Sequence, residues 1–228
     1  MGTGRLKVGL AGVGHLGKAH ARILSQLPGV ELVGIADPMI DQARAVAAER
    51  NCRAFESHKP LLDSDVDEMQ RMIDLNVTAL TRLSYAAVPG FVARGRGALI
   101  NIASIVAVSP ETLNGVYGGS KAFVLAFSQS LQHELAGKGV QGQAVLPGAT
   151  ATEFWARGGL PVEHLPAQIV MRAEDLVDAA LRGFDRGEAV TLPSLHDVAL
   201  WNAYEAARRA MAPLLSSNTV AARYQPQH

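Results

Sequence analysis

Short apolar runs alternate along the chain with longer stretches in which apolar residues recur every three or four positions. That alternation predicts strand-helix units wound on a parallel sheet, an α/β fold. The strands fall at about 6–11, 31–36, 98–103, 143–146 and 189–192, with a weaker one at 53–56. Helices fill about 16–27, 39–50, 67–94, 117–136, 173–186 and 196–215, and Pro28-Gly29 and 137–139 act as stops. The stretch 149–172 mixes polar, Gly and Pro residues and reads as a loop with a short helix.

Glycine spacing adds chemistry to the first unit. Gly12-Val13-Gly14-His15-Leu16-Gly17 follows an apolar strand and opens a helix, and Asp37 lies 20 residues beyond the last glycine at the end of the next strand. The first glycine permits a tight turn, the second lets backbone approach a pyrophosphate, and the third lets helix and strand pack closely. The positive end of the helix then faces the anion. Asp37 accepts hydrogen bonds from both adenosine ribose hydroxyls and repels a 2′-phosphate, which favours NAD, with NADP as the alternative.

Composition sets the remaining bounds. With 228 residues, 48% hydrophobic and 18% charged, the chain has enough apolar material for one sizeable domain and is neither disordered nor a coiled coil. Lys and Arg number 21 against 21 Asp and Glu, so no basic excess points to nucleic acid, and a small neutral partner is expected. No apolar run approaches the roughly 18 residues of a membrane span; the longest, 98–108, is broken by Asn101 and Ser104. Cys52 is the only cysteine, which excludes an internal disulfide and suits a reducing, cytoplasmic compartment. The seven histidines form no metal-ligand grouping, so no metal is expected.

The segments Lys7-Val8-Gly9-Leu10-Ala11-Gly12-Val13-Gly14, Leu32-Val33-Gly34-Ile35-Ala36-Asp37-Pro38 and Leu61-Leu62-Asp63-Ser64-Asp65-Val66-Asp67 resemble the start of the glucose-fructose oxidoreductase and inositol dehydrogenase family. The Glu-Lys-Pro motif with that family's catalytic lysine does not follow: Lys59-Pro60 is preceded by His58 and comes too early.

From about Gln70 to Tyr224 the chain resembles a second family, the short-chain dehydrogenases/reductases. The resemblance rests on Asn76 in a long helix, Asn101-Ile102-Ala103-Ser104 at a strand end, Tyr117-Gly118-Gly119-Ser120-Lys121 thirteen residues after Ser104, and Pro147-Gly148-Ala149-Thr150-Ala151-Thr152. It implies a nicotinamide-dependent oxidoreductase acting on a ketone, an aldehyde or a secondary alcohol. In that scheme Tyr117 is the acid/base and Ser104 hydrogen-bonds the substrate oxygen. Lys121 holds the nicotinamide ribose, Asn76 holds a relay water, and Thr152, after Pro147 and Gly148, contacts the carboxamide. The residues agree: Tyr117 and Lys121, four apart, share a helix face, and a nearby ammonium favours phenolate and lowers a pKa of about 10 toward neutrality. A homodimer or homotetramer is likewise implied by the resemblance. Phe154, Trp155, Leu160, Leu165 and Ile169 read either as the lining of an apolar substrate pocket or as packing of their own loop.

Two departures mark the seam between Val66 and Gln70. The reductase family's Thr-Gly-x-x-x-Gly-x-Gly loop is replaced by the other fingerprint, and its Asn-Asn-Ala-Gly segment has no counterpart. Asn76 follows Asp37 by only 39 residues, short by one strand-helix unit of about 30. The expected architecture is a single Rossmann-type domain over 1–228, with a dinucleotide-binding half at 1–66, a catalytic half at 70–215 and a substrate loop at 149–172. Its six strands run in order 3-2-1-4-5-6, with either the Ser104 strand paired directly with the first, which is favoured because a gap would leave backbone groups unpaired, or a disturbed gap between them. Direct pairing would move the catalytic residues one strand spacing, about 4.8 Å, toward the pyrophosphate loop. Two functional readings follow: an oxidoreductase with Tyr117 as acid/base, or a catalytically silent or impaired nucleotide-binding Rossmann domain formed by a hybrid chain.

Overall fold

A computed structural model describes residues 6–11, 15–36, 40–51, 53–55, 64–113, 115–152 and 164–225. They divide between two compact units, Met1–Ser194 and Leu195–His228. The first is an α/β Rossmann-type fold whose strand pairs are all parallel. Its N-terminal part runs β1 (Leu6–Ala11), α1 (His15–Gln26), β2 (Val30–Ala36), α2 (Ile40–Glu49) and β3 (Arg53–Phe55). Gly29 ends the α1 turn at φ 79°, a left-handed conformation that costs glycine nothing. Ala21, Leu32, Ile35, Val46 and Ala47 form the buried cluster that holds α1 and α2 on β2.

The following part opens with α3 (Val66–Ile73), capped by Asp65, whose carboxylate accepts from Asp67 N at 2.7 Å and Glu68 N at 3.2 Å. The single helix expected over 67–94 is not regular: Asp74–Ala79 widen into a π-helical turn before α4 (Leu80–Ala93) resumes. Asp74 braces this turn, accepting from Gln70 Nε2 at 3.3 Å and Thr78 Oγ1 at 3.5 Å. Then come β4 (Gly97–Ile102), α5 (Gly115–Glu134) and β5 (Val140–Val145), followed by the short strands β6 (Thr150–Ala151) and β7 (Met171–Arg172), α6 (Ala173–Asp185) and β8 (Val190–Thr191). Gly139, at φ 71°, sits where a Cβ would collide with the Gly95 carbonyl. The turns leading into β4 and β5 therefore meet backbone to backbone, and Gly97 N donates to Gly139 O at 3.2 Å, setting the register Gly97↔Val140. Three glutamines stitch the outer layer: Gln132 Nε2 reaches Gly142 O and Ala189 O, Gln141 Nε2 reaches Phe184 O, and Gln143 Nε2 reaches Ala180 O and Thr191 Oγ1.

The strand order is corrected at its centre. β1-β2-β3 and β4-β5-β8 each follow the expected sequence, but they are two three-stranded sheets, and β1 and β4 share no hydrogen bonds. The reason lies in what positions β4. Gly97 N and Ala103 N both point to β5, and Asn101 Nδ2 donates to Ser128 Oγ on α5 at 2.9 Å, so one edge of β4 is taken by β5 and Asn101 is tied to α5. Alternation then turns the N–H and C=O groups of Ala98, Ile100 and Ile102 to the opposite edge. The same residues lie on a face left open, Ile100 being 39% and Ile102 53% exposed. Without direct pairing, the expected compression of the site by one strand spacing does not arise.

The loop 149–172 holds the β6–β7 ladder and a short 3₁₀ turn, Ala167–Ile169. The second unit consists of α7 (Val198–Met211), capped by Asp197 through Ala199 N at 2.9 Å, and short 3₁₀ turns. Within α7 the buried Glu205 carboxylate accepts from Arg208 Nε and Nη2, both at 2.9 Å. Among the described residues no helix is long and apolar enough to cross a membrane.

Candidate active site

Ser104 leaves the end of β4 in an extended conformation, and its Oγ caps the 3₁₀ turn Ile105–Ala107 by accepting from Val106 N at 3.3 Å. The strand end is sewn to the segment after β5: Ala103 N donates to Val145 O at 2.8 Å and Ile105 N to Pro147 O at 3.0 Å. Pro147 and Gly148 thus start beside Ser104, at the carboxyl ends of parallel strands, where open α/β sheets bind ligands. Thr150 Oγ1 donates to Gly148 O at 3.1 Å and Thr152 Oγ1 to Thr150 O at 3.4 Å, which fixes the course of this segment.

Helix α5 supplies the other groups. Its first turn lies against the Pro110 turn, with Gly118 at the contact, and it brings Tyr117 into a hydrogen bond with Ser104. One turn later Lys121 Nζ stands 5.8 Å from the Tyr117 ring centroid and donates to Ile102 O at 3.1 Å. That carbonyl is on the edge of β4 away from β5, so the lysine satisfies a backbone group that no strand takes among the described residues. Asn76, on the π-helical turn, sends Nδ2 to Ser120 Oγ at 2.9 Å, and Ser120 Oγ donates to Tyr117 O at 2.8 Å.

The four catalytic candidates are therefore brought together as the sequence suggests, but the electrostatics differ. Burial pushes the Tyr117 phenol above its ordinary 10.0, and the Ser104 hydrogen bond offsets this only in part. Burial also pulls the Lys121 ammonium down to about 8. The expected drop of the phenol toward neutrality is thus reversed, because desolvation disfavours both charges. The Tyr117 phenol therefore keeps its proton at neutral pH.

Of the cofactor candidates, Gly17 lies in the first turn of α1, which carries no acidic side chain. Gly12, Gly14 and Asp37 fall outside the described residues, as do Phe154, Trp155 and Leu160. Ile169 is 56% exposed and lines no packed wall. Sequence reasoning missed Ser120, the partner of Asn76, and the Ile102 carbonyl that holds Lys121. Ser120 could have been singled out, since a helical serine three residues after Tyr117 can bond back to its carbonyl.

A "Sulfoacetaldehyde reductase 2" of Chromohalobacter salexigens is 37% identical over 97 residues, 42% of this chain. That match spans only 38% of the relative's own length. A solved short-chain dehydrogenase from Sphingobium yanoikuyae, in complex with NADPH, superposes with a TM-score of 0.73 at 34% identity, covering 96% of this chain and 99% of the other. The bulky-bulky ketone specific alcohol dehydrogenase of Comamonas testosteroni superposes with a TM-score of 0.68 at 29% identity, covering 96% and 98%. The profile of the family described as short chain dehydrogenase matches residues 41–159, more than half of the sequence, and with the Ser104–Tyr117–Lys121 arrangement just described the chain belongs to that family.

Proposed function

We propose that this chain is an NAD(P)-dependent oxidoreductase interconverting a ketone or aldehyde and the corresponding alcohol, with Tyr117 as acid/base. The observation that carries the reading is the hydrogen bond between Ser104 and Tyr117 beside Lys121 at the carboxyl end of β4. The donor set fits a nicotinamide nucleotide. An ammonium has three donors and Ile102 O takes one, leaving Lys121 capacity for ribose hydroxyls. Thr152 and the Pro147-Gly148 backbone stand on the adjoining strand end for a carboxamide, and Gly12, Gly14 and Gly17 suit a pyrophosphate. When bound, the nicotinamide supplies or accepts the hydride. The protein's own part is to hold the carbonyl oxygen between Ser104 Oγ and the Tyr117 hydroxyl, and to deliver the Tyr117 proton as negative charge grows on that oxygen. Lys121, charged below about pH 8, stabilises the phenolate that remains. Asn76 holds a relay water that returns the proton.

Asp37 makes NAD the preferred cofactor in this reading, although a structural neighbour holds NADPH. Residues 1–66 are read as a dinucleotide-binding half of the glucose-fructose oxidoreductase type; the family profile begins only at residue 41. The lone Cys52 supports a cytoplasmic location, and a homodimer or homotetramer completes the reading.

The split between β1 and β4 favours a second reading, a nucleotide-binding domain without turnover. Titrating NADH and NADPH by fluorescence, then assaying ketones, aldehydes and secondary alcohols, separates the two. Binding with turnover supports the oxidoreductase, binding alone supports the silent domain, and neither refutes both.

A further inference from the structure

Ser120 stands between Tyr117 and Lys121 in sequence and is 4% exposed. A hydroxyl has one proton to give and two lone pairs to receive with. Ser120 gives its proton to the Tyr117 carbonyl at 2.8 Å, so toward Asn76 it can only accept. The Asn76 amide must then present its NH₂ group, as the 2.9 Å contact from Nδ2 to Ser120 Oγ has it. Turning the amide over would set acceptor against acceptor, unless Ser120 withdrew its proton from Tyr117 and gave up that bond. The π-helical turn matters here. An extra residue in a turn rotates the side chains that follow by about 100° relative to a regular helix, and this turn delivers Asn76 to α5.

We propose that Ser120 is a positioning residue of the site: its hydroxyl keys the Asn76 amide to the turn of α5 that carries Tyr117 and Lys121, leaving Asn76 Oδ1 as the free acceptor end. Its catalytic consequence rests on the oxidoreductase reading, in which Asn76 holds a relay water. Ser120 acts through Asn76; its own bond to the Tyr117 carbonyl fixes the direction of its proton.

Two measurements test this, one of them independent of turnover. In ¹⁵N spectra the Asn76 side-chain amide, identified by its loss in Asn76→Ala, should shift in Ser120→Ala and keep its position in Ser120→Thr, which retains the hydroxyl. An unmoved signal in Ser120→Ala overturns the proposal. Should the alanine variant not fold, Ser120→Cys, similar in volume but a weak acceptor, is read the same way. In the kinetic arm, Ser120→Ala should lower kcat about tenfold with both KM values within about twofold. Ser120→Thr should recover to within about threefold, and Asn76→Ala/Ser120→Ala should be no slower than Asn76→Ala alone. Independent, multiplying losses, or no recovery by threonine, overturn the proposal. A wild-type protein that turns over no carbonyl compound or alcohol refutes the oxidoreductase reading instead, while the amide signal still decides whether Ser120 holds Asn76.

Discussion

Lys121 carries a charge that burial opposes, and that opposition is measurable as stability. The folded state holds the ammonium at about 8 against an ordinary 10.5. Below about pH 8 both folded and unfolded chains bind the proton, and the folded state bears the whole cost of the buried charge. Between about 8 and 10.5 the unfolded chain binds more proton than the folded one, so stability rises with pH; above 10.5 the gain is complete. At 1.36 kcal/mol per pH unit the rise amounts to about 3 kcal/mol at most, and to less where water relaxes around the partly exposed stem. Tyr117 works in the opposite sense: its raised pKa means the folded state keeps the phenol proton longer, so its contribution is lost as pH climbs through and above 10. Tyr117→Phe removes that opposing slope and is the proper background. We expect urea unfolding of Tyr117→Phe, followed by tryptophan fluorescence and linear extrapolation, to show a gain of about 2–3 kcal/mol between about pH 7.5 and 10.5 relative to Tyr117→Phe/Lys121→Met. All other titrating groups are common to both proteins and cancel. Parallel stability curves would show that Lys121 titrates as a solvated lysine, and the account of the site's electrostatics would fail.

Three further outcomes are expected. Tyr117→Phe should lose about 10²–10⁴-fold in kcat while keeping its cofactor affinity, because only the proton transfer is removed; near-normal turnover would remove Tyr117 from the mechanism. Wild type should bind NADH more tightly than NADPH in fluorescence titrations, and Asp37→Ser should narrow the gap by relieving repulsion of a 2′-phosphate; equal affinities in wild type would end the ribose assignment. Gly139→Ala should cost about 2 kcal/mol or more and lower Tm by about 4–8 °C, since the new Cβ meets the Gly95 carbonyl and φ is 71°; an unchanged Tm would mean the two turns do not meet.

The sequence by itself determined whatever depends on neighbours within a turn or a strand. Apolar period and glycine stops located β1, β2, β4 and β5 and the helices between them to within a few residues, since periods of 2 and 3.6 are properties of the local backbone. Spacing of four put Tyr117 and Lys121 on one face, and the strand-end position of Ser104 put it within reach of Tyr117. What only the tertiary structure decided depends on groups far apart in sequence. Asn76 finds Ser120, 44 residues on. Lys121 finds the Ile102 carbonyl on an edge of β4 that no strand takes among the described residues. The separation of β1 from β4 depends on which strand each edge meets in the fold, which no pattern within β1 or β4 reports. The sign of the Tyr117 shift also escaped the sequence: a neighbouring cation is visible as a spacing, whereas desolvation sums over every element that closes around the phenol, and here it is the larger effect.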